Sequence, residues 1–300
     1  MSNSLAKQVI LITGASTGIG AALAELLAQR YSGISLVLAA RSLEKLDAIA
    51  ERCRKAGADV LTVSIDISQT DAAIALAQKA LQHFGRVDAL INNAGYGQMG
   101  ALELISPEFA ERQFAVNVLG PLALTRTLIP AMREQGQGRI INISSLGGRL
   151  AFPLGGLYSA SKFAIEGLSD TLRMELSPFN IRVSVVEPGP VRTPFLDVIK
   201  QGVEQSAPDA QKTPYRAAYE KLERLEQQLD RQAWTSEQVA EVVVKALCDR
   251  HPRPRYIAAT GGNILIFLMT KVLPTWIVDV FWKRFYGVDL VAKEWQSRGN

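Results

Sequence analysis

Residues 13–20 read Thr-Gly-Ala-Ser-Thr-Gly-Ile-Gly and directly follow the apolar run Val9–Ile12. The next stretch, Ile19–Arg30, has helical periodicity, so the glycines lie in a turn between a strand and a helix. Glycine lets the backbone approach a pyrophosphate closely, and the N-terminus of the following helix favours its negative charge. The stretch therefore predicts a dinucleotide-binding turn. The residues expected to contact the cofactor there are Gly14, Ser16, Thr17, Gly18, Ile19 and Gly20.

Apolar runs of strand length recur on both sides of this turn, separated by longer segments with helical periodicity. The runs are continuously apolar, as in parallel strands that are covered on both faces. This alternation predicts an α/β fold, a doubly wound (Rossmann) seven-stranded parallel sheet with helices on both faces. The predicted strands are Val9–Thr13, Ser35–Ala39, Val60–Ile65, Ala89–Asn92, Arg139–Ile143, Ile181–Val186 and Arg255–Ala258. The predicted helices are Ile19–Arg30, Leu43–Ala56, Asp71–Phe84, Pro121–Arg133, Tyr158–Leu176 and one around Ala217–Leu229.

Two segments interrupt the alternation and suggest how the chain is divided. Residues 195–233 are polar, and a long connection of this kind in a compact domain predicts a substrate-binding lid. Residues 263–300 form an apolar, helical C-terminal extension of a single domain that covers residues 1–262. Its apolar runs are broken by charges and a proline, well short of the roughly 20 residues that a spanning helix needs. Packing on the core or against a sister subunit, a lid over the substrate pocket, peripheral membrane contact and membrane anchoring all stay open for this extension.

Four polar side chains outside the glycine turn form a candidate catalytic group. Tyr158 and Lys162 are four residues apart at the start of a predicted helix and therefore share one face. Ser145 follows a predicted strand, and Asn117 precedes that strand in the chain. A carbonyl that accepts hydride gains negative charge on oxygen and then needs a proton, which a phenol donates while a hydroxyl stabilises the charge. The Lys162 ammonium is expected to lower the pKa of Tyr158 by favouring tyrosinate.

Together the motifs resemble those of the short-chain dehydrogenase/reductase family over about residues 5–195. The matching motifs are Gly-x-x-x-Gly-x-Gly at 14–20, Asn-Asn-Ala-Gly at 92–95 and Tyr-x-x-x-Lys at 158–162. The resemblance implies an oxidoreductase with the tetrad Asn117, Ser145, Tyr158 and Lys162. It also implies that Lys162 holds the nicotinamide ribose and that Asn117 anchors a water chain that resupplies protons. The further cofactor contacts that it implies are Asp66, Ile67, Asn93, Ala94, Gly95, Tyr158, Lys162, Pro188, Gly189, Val191 and Thr193.

The end of the second predicted strand bears on the choice of cofactor. An NAD site needs a carboxylate there for the ribose 2′-hydroxyl, whereas an NADP site needs a cation for the 2′-phosphate. The sequence has Arg41 and Ser42 at this point and no acid. Arg41 is able to bind a phosphate bidentately and Ser42 to add a hydrogen bond, so we expect NADP(H).

The C-terminal extension resembles those of the retinol and hydroxysteroid dehydrogenase branches of the family. The resemblance implies a hydrophobic carbonyl or alcohol substrate, retinoid-, steroid- or lipid-like, and a homo-oligomer, dimer or tetramer. Reduction of small aromatic or fatty-acyl carbonyls is an alternative, as is a non-catalytic NADP(H)-sensing regulator on the same fold. A nucleotide-sugar epimerase is disfavoured, since that class usually has Gly-x-x-Gly-x-x-Gly.

Composition limits the partners. The net charge of +4 is small, and no nucleic-acid-binding motif occurs, so no nucleic acid is expected. Neither His83 nor His251 has ligand-type neighbours, and hydride transfer requires no metal. Cys53 and Cys248 lack any Cys-x-x-Cys partner and predict reduced thiols in a cytoplasmic protein, with peripheral membrane contact through the extension as an option.

Overall fold

Seven parallel strands form one sheet, as predicted. The computed structural model describes residues 5–193 and 212–297. The strands are β1 Val9–Thr13, β2 Ser35–Ala40, β3 Asp59–Ser64, β4 Ala89–Asn92, β5 Gly138–Ile143, β6 Ile181–Pro188 and β7 Arg255–Ala258. Their order is β3-β2-β1-β4-β5-β6-β7, which makes the sheet doubly wound about the junction of β1 and β4. Ligands of such sheets bind outside the carboxyl ends of the strands at this switch point.

Helices cover both faces of the sheet. They are α1 Gly18–Arg30, α2 Leu43–Lys55, α3 Thr70–Phe84, α4 Pro107–Phe114, α5 Gly120–Glu134, α6 Gly156–Glu175, α7 Arg216–Gln232, α8 Ser236–Cys248, α9 Gly262–Phe267, α10 Thr275–Tyr286 and α11 Val288–Ser297. Buried side chains such as Leu23 of α1, Leu46 of α2 and Val243 of α8 pack on one face. Leu76 of α3 and Leu124 of α5 pack on the other. The sheet is thus buried on both sides, which explains its continuously apolar strands.

Most elements lie within one or two residues of their predicted bounds, but two helices were not predicted. Helix α4 continues through a π-helical turn, Ala115–Leu119, into α5, so the observed helical run begins well before Pro121. Helix α8 is rich in valine, which obscures its helical pattern, yet Thr235 and Gln238 form a capping box at its start. Part of the predicted lid, residues 195–211, lies outside the described residues, whereas α7 contains the predicted stretch Ala217–Leu229.

The C-terminal extension turns back onto the domain. Its last helix, α11, packs on α7, and Arg216 donates to Glu294 at 2.9 Å between the two. The division into residues 1–262 and 263–300 stays a prediction. By length and composition one described helical run, Pro107–Glu134, is apolar enough to cross a membrane. That is weak support for a span, because Leu124, Leu128 and Met132 within the run are fully buried in the core.

A substitution at Gly120, at the start of α5, tests how closely this helix packs on the segment that follows β3. A Cβ at Gly120 would lie 2.0 Å from the backbone oxygen of Ile67. We expect Gly120→Ala to lower the free energy of unfolding by about 1–3 kcal/mol, the usual cost of overpacking. In denaturant unfolding the matched control is Gly167→Ala, since Gly167 lies within α6 with open space around its Cβ position. The control should be neutral or stabilising by up to about 1 kcal/mol, and equal destabilisation of both variants would contradict the packing argument.

Candidate active site

The glycine turn is fixed to the end of β4. Gly14 and Gly18 have φ of +66° and +57°, which non-glycine residues rarely adopt. The Asn93 Nδ2 donates to the backbone oxygens of Thr13 at 2.8 Å and Gly14 at 3.2 Å. The Thr13 hydroxyl accepts from the backbone amides of Asn93 and Ala94 at 3.1 and 3.0 Å. Thr13 was not among the predicted site residues, although its position as the last residue of β1 was a usable signal.

The start of α1 and the turn after β6 face each other across the glycine turn. Thr17, the N-cap of α1, is exposed and makes no side-chain capping bond, so the amides of the first turn are not capped by this side chain. Gly18 lies close to Thr193, whose Cγ2 would be 3.1 Å from a Cβ at Gly18. Gly189, in the same turn as Thr193, packs against Ala259. This arrangement of a helix N-terminus and a glycine backbone fits a dinucleotide pyrophosphate.

The end of β2 presents a cation beside a carboxylate. Arg41 is exposed, and within the described residues its guanidinium makes no hydrogen bond or ion pair. Burial would raise the pKa of Asp66, but hydrogen bonds from Ser68 and the charge of Arg41 outweigh it and hold that pKa below its ordinary value. The predicted strand Val60–Ile65 would place Asp66 directly at its end, but β3 ends at Ser64, so Asp66 lies two residues beyond the strand. Ser42 is the N-cap of α2, where its hydroxyl accepts from the Lys45 amide at 3.5 Å.

Ser145, Tyr158 and Lys162 are brought together at the end of β5. The Tyr158 hydroxyl forms a hydrogen bond with Ser145, whose Oγ also accepts from the Gly147 amide at 3.0 Å. The Lys162 Nζ donates to the Ile143 carbonyl at 2.8 Å and lies 5.8 Å from the centre of the Tyr158 ring. Tyr158 and Lys162 are both buried, with exposed fractions of 8% and 6%.

Burial moves the pKa values of both groups toward their neutral forms. It raises the pKa of Tyr158 to about 12, although the hydrogen bond from Ser145 opposes this. It lowers the pKa of Lys162 to about 8, against the negative charge of Glu166. As far as the chain's own residues are concerned, the expectation that the Tyr158 pKa lies below its ordinary value is therefore wrong. Desolvation of the tyrosinate outweighs the stabilisation expected from Lys162, because the Lys162 Nζ is hydrogen-bonded to the Ile143 carbonyl.

Asn117 braces the loop that follows β4 against α6. It lies in the π-helical turn, and its Nδ2 donates to the Tyr96 carbonyl at 2.9 Å and to the Ser161 Oγ at 3.0 Å. Its Oδ1 accepts from the Tyr96 amide at 3.1 Å. A Cβ at Gly95 would lie 3.2 Å from that Oδ1 and 3.5 Å from the Lys162 Nζ. The four tetrad residues therefore share one region, with Asn117 bonded to Tyr96 and Ser161.

A buried charge cluster that was not predicted lies behind Lys162. Arg255 donates to Glu166 at 2.9 Å and lies 3.4 Å from Glu187, which also pairs with Arg149 at 3.2 Å. Glu187 is fully buried and directly precedes Pro188. The cluster thus joins α6, β7 and the end of β6. The signal in the sequence was Glu166, one helical turn after Lys162.

Aromatic side chains of the extension reach the loop beside Tyr158. The Phe152 ring stacks on the Tyr286 ring of α10 with 5.3 Å between centroids and 11° between planes. The ring centroid of Trp282 in the same helix is 6.3 Å from that of Phe152. A Cβ at Gly147 would lie 3.2 Å from Phe152 and 3.4 Å from Tyr158, so this glycine separates the two rings. A lid over the substrate pocket was one of the roles left open for the extension, and the participation of Phe152 was not predicted.

The fold and the glycine turn define a doubly wound, nucleotide-binding α/β protein. A family model described as short chain dehydrogenase matches residues 8–204. The chain therefore belongs to the short-chain dehydrogenase/reductase family and is an oxidoreductase that acts on CH–OH groups. Among curated relatives, human 17-beta-hydroxysteroid dehydrogenase type 1 is 33% identical over 272 residues, which cover 89% of this chain and 82% of the relative.

Two solved structures resemble the whole fold and differ in their cofactor. A short-chain dehydrogenase/reductase from Burkholderia phymatum in complex with NAD has a TM-score of 0.78 and 32% identity, covering 90% of this chain and 94% of its own. A metagenomic short-chain oxidoreductase in complex with NADP has a TM-score of 0.67 and 33% identity, covering 85% and 97%. The choice between the two dinucleotides thus depends on this chain's own residues.

The cluster behind Lys162 predicts a pH dependence of stability. Burial raises the pKa of the Glu166 carboxyl from 4.5 to about 7. Across this window the folded state keeps a proton that the unfolded state has released, so the unfolding free energy decreases as the pH rises. Denaturant unfolding at several pH values from 4.5 to 7 should give a flatter profile for Glu166→Gln than for wild type. Glu175→Gln, an exposed position on α6, is the control, and identical profiles for wild type and Glu166→Gln would refute the assignment.

Proposed function

We propose that this chain is an NADP(H)-dependent oxidoreductase that interconverts a hydrophobic ketone or aldehyde and the corresponding alcohol. The observation that carries the proposal is the buried group of Ser145, Tyr158 and Lys162 at the carboxyl edge of the sheet, next to the glycine turn. Gly14, Ser16, Thr17, Gly18, Ile19 and Gly20 would hold the pyrophosphate. Ile67, Asn93, Ala94, Gly95, Pro188, Gly189, Val191 and Thr193 complete the proposed contacts.

The side chains divide the chemistry among them. The bound nicotinamide supplies the hydride for reduction, or accepts it for oxidation. Tyr158 keeps its proton at neutral pH because burial raises its pKa to about 12. It donates this proton to the carbonyl oxygen as that oxygen becomes negative, and the resulting tyrosinate is stabilised by the Ser145 hydroxyl and the Lys162 ammonium. In oxidation the same proton moves from the alcohol to Tyr158.

The preference for NADP(H) rests on Arg41. Its exposed guanidinium lies at the end of β2, about twenty residues beyond the glycines, where a 2′-phosphate is expected. Asp66 is near enough to respond to the charge of Arg41, but it lies beyond β3, so the tip of β2 itself offers no carboxylate for a 2′-hydroxyl. Ser42 caps α2 by accepting a hydrogen bond from the Lys45 amide, and its O–H can donate a second hydrogen bond to the 2′-phosphate.

A hydrophobic substrate is supported by the elements next to Tyr158. The Tyr219 hydroxyl of α7 accepts from the Ala101 amide at 3.0 Å, and Ala218 packs with Leu154. Two residues before Leu154, Phe152 meets the aromatic face of α10. We infer that α7 and the extension close over the substrate as a lid with apolar walls, which orient a ligand through few polar groups. The hydroxysteroid in the name of the human relative is a largely apolar molecule of this kind.

Other readings have less support. A non-catalytic NADP(H) sensor would not need Tyr158 and Lys162 together in a buried site, and both are present. Small aromatic or fatty-acyl carbonyls stay an alternative, since the lid's walls are apolar for these as well. A homo-oligomer stays part of the proposal, and a groove between α5 and α6, lined by Leu168 and Leu172 together with Arg126, Arg133 and Glu175, is a candidate contact surface. A cytoplasmic location stays a prediction.

Replacing Tyr158 by Phe tests the proposed proton donor. General acid catalysis contributes about 10²–10⁴-fold, so we expect kcat for carbonyl reduction to fall within this range in Tyr158→Phe, while the Kd for NADPH changes little. The measurement is steady-state NADPH oxidation together with NADPH binding by fluorescence. Tyr31→Phe is the control, because the Tyr31 hydroxyl lies 3.3 Å from Cys248 and far from the site in the fold. Reduction by Tyr158→Phe at nearly the wild-type rate would refute the assignment.

Replacing Arg41 by Asp tests the cofactor choice. The variant loses a charge-assisted bond to the 2′-phosphate, worth about 1.5–3 kcal/mol, and gains an acceptor for the 2′-hydroxyl of NAD. We expect the ratio of kcat/KM for NADPH to that for NADH to fall by about tenfold to a hundredfold. The control is Arg182→Asp, an exposed arginine at the opposite end of the sheet. If wild type prefers NADH, or if both variants change the ratio equally, Arg41 does not select the cofactor.

A further inference from the structure

The extension leaves a row of large apolar side chains in solvent. We call this row the outer patch. Its members, with their exposed fractions, are Ile264 66%, Phe267 59%, Leu268 39%, Val272 52%, Trp276 68%, Val280 43% and Phe281 40%. Single exposed apolar residues are ordinary on protein surfaces, but a run this dense marks an interaction site.

The first half of the outer patch lies on a short helical run, and one side of this run packs against the domain. Helix α9 continues through a π-helical turn, Leu268–Val272. Ile266 is buried, and Gly262 packs against Ile257 of β7, where a Cβ would lie 2.7 Å from the Ile257 Cγ2. The apolar run Gly262–Val272 is much shorter than the roughly 20 residues that cross a bilayer. A short apolar run that is largely exposed is more typical of a helix lying in a membrane interface than of a core helix or a membrane-spanning helix.

The second half lies on α10, which is apolar on two sides. Trp282 and Tyr286 face inward, where they meet Phe152. Trp276 and Val280, one helical turn apart, are exposed on the outside. Large apolar side chains on a helix surface are normally covered by another element, and within the described residues nothing covers Trp276 and Val280 on the outer side of α10.

The charges around the outer patch favour a negatively charged partner. Lys271, Lys283 and Arg284 are exposed, and within the described residues none of them makes an ion pair. Asp279 is the one acidic residue between positions 262 and 287. In a symmetric contact between two copies centred on this patch, the cations would meet their own counterparts. An anionic lipid surface complements them instead, and tryptophan with basic residues is the composition of interfacial helices.

We propose that the outer patch inserts into the headgroup region of an anionic lipid bilayer and holds the enzyme on the membrane surface. Ile264, Phe267 and Trp276 enter the interface, while Lys271, Lys283 and Arg284 contact lipid phosphates and carboxylates. The docking does not depend on the proposed function. One consequence does rest on it: because the inner side of α10 borders the substrate site, an apolar substrate dissolved in the bilayer has a short path to Tyr158.

Vesicle co-sedimentation of the full chain tests the docking. The probes are phosphatidylcholine vesicles and vesicles in which about one-third of the lipid is phosphatidylserine. We expect binding to the mixed vesicles and a decrease at high salt. Trp276→Ser should weaken binding about tenfold or more, since a large side chain is no longer buried in the interface. Lys283→Gln should weaken it about fivefold, which corresponds to ~1 kcal/mol for one basic residue near an anionic surface.

Two controls separate this proposal from folding defects and from the proposed function. Met174→Ser removes a similarly exposed apolar side chain, 60% exposed, from α6 and should bind vesicles as wild type does. Tyr158→Phe should also bind normally, because docking requires no catalysis. Trp276→Ser should keep the circular-dichroism spectrum and the thermal unfolding midpoint of wild type, which shows that it is folded. Absence of binding to the mixed vesicles, or equal binding by wild type and Trp276→Ser, would overturn the proposal. So would a wild-type dimer that Trp276→Ser dissociates, because a second copy would then cover the patch.

Discussion

The parallel direction of all strands is the constraint on which the site depends. The six strand pairings are all parallel, so every strand ends at the same edge of the sheet. Gly14 after β1, Asn93 after β4, Ser145 after β5 and Gly189 after β6 therefore meet there, although the chain separates them widely. The hydrogen bonds of Asn93 to Thr13 and Gly14 fix the two strands at the switch point to each other. The glycine turn is thus held by the sheet before any ligand binds.

Burial of ionisable groups is the second physical theme of the site. Tyr158 and Lys162 are placed where the charged form of each is disfavoured, and the charge of Glu166 partly offsets this for Lys162. The Glu166 carboxylate is in turn paired with Arg255, which also lies near Glu187. Because buried charges are costly unless they are paired, we infer that this cluster positions Lys162 and the end of β6 relative to each other. It acts through Lys162 and does not touch the reacting atoms.

The sequence predicted the elements whose signals are local. Continuous apolar runs marked the strands, and glycine spacing marked the turn at Gly14. Helix α8 was missed because its valines also suit a strand. The contacts of Phe152 with α10 and the position of Asp66 beyond its strand depend on how distant segments pack. The predicted direction of the Tyr158 pKa shift was wrong for the same reason, because the degree of burial is a tertiary property that motif spacing does not encode.

We propose that the buried Ser145, Tyr158 and Lys162 make this chain a catalyst of hydride transfer to apolar carbonyls. The most direct measurement is NADPH consumption by the full chain with ketones and aldehydes of increasing apolar size, from small aromatic carbonyls to retinoids and steroids, with NADH in parallel. We expect consumption that is faster with NADPH and a kcat/KM that rises with the apolar area of the substrate. Binding of NADPH without consumption in the presence of any of these carbonyls would contradict it and would favour a cofactor-sensing protein.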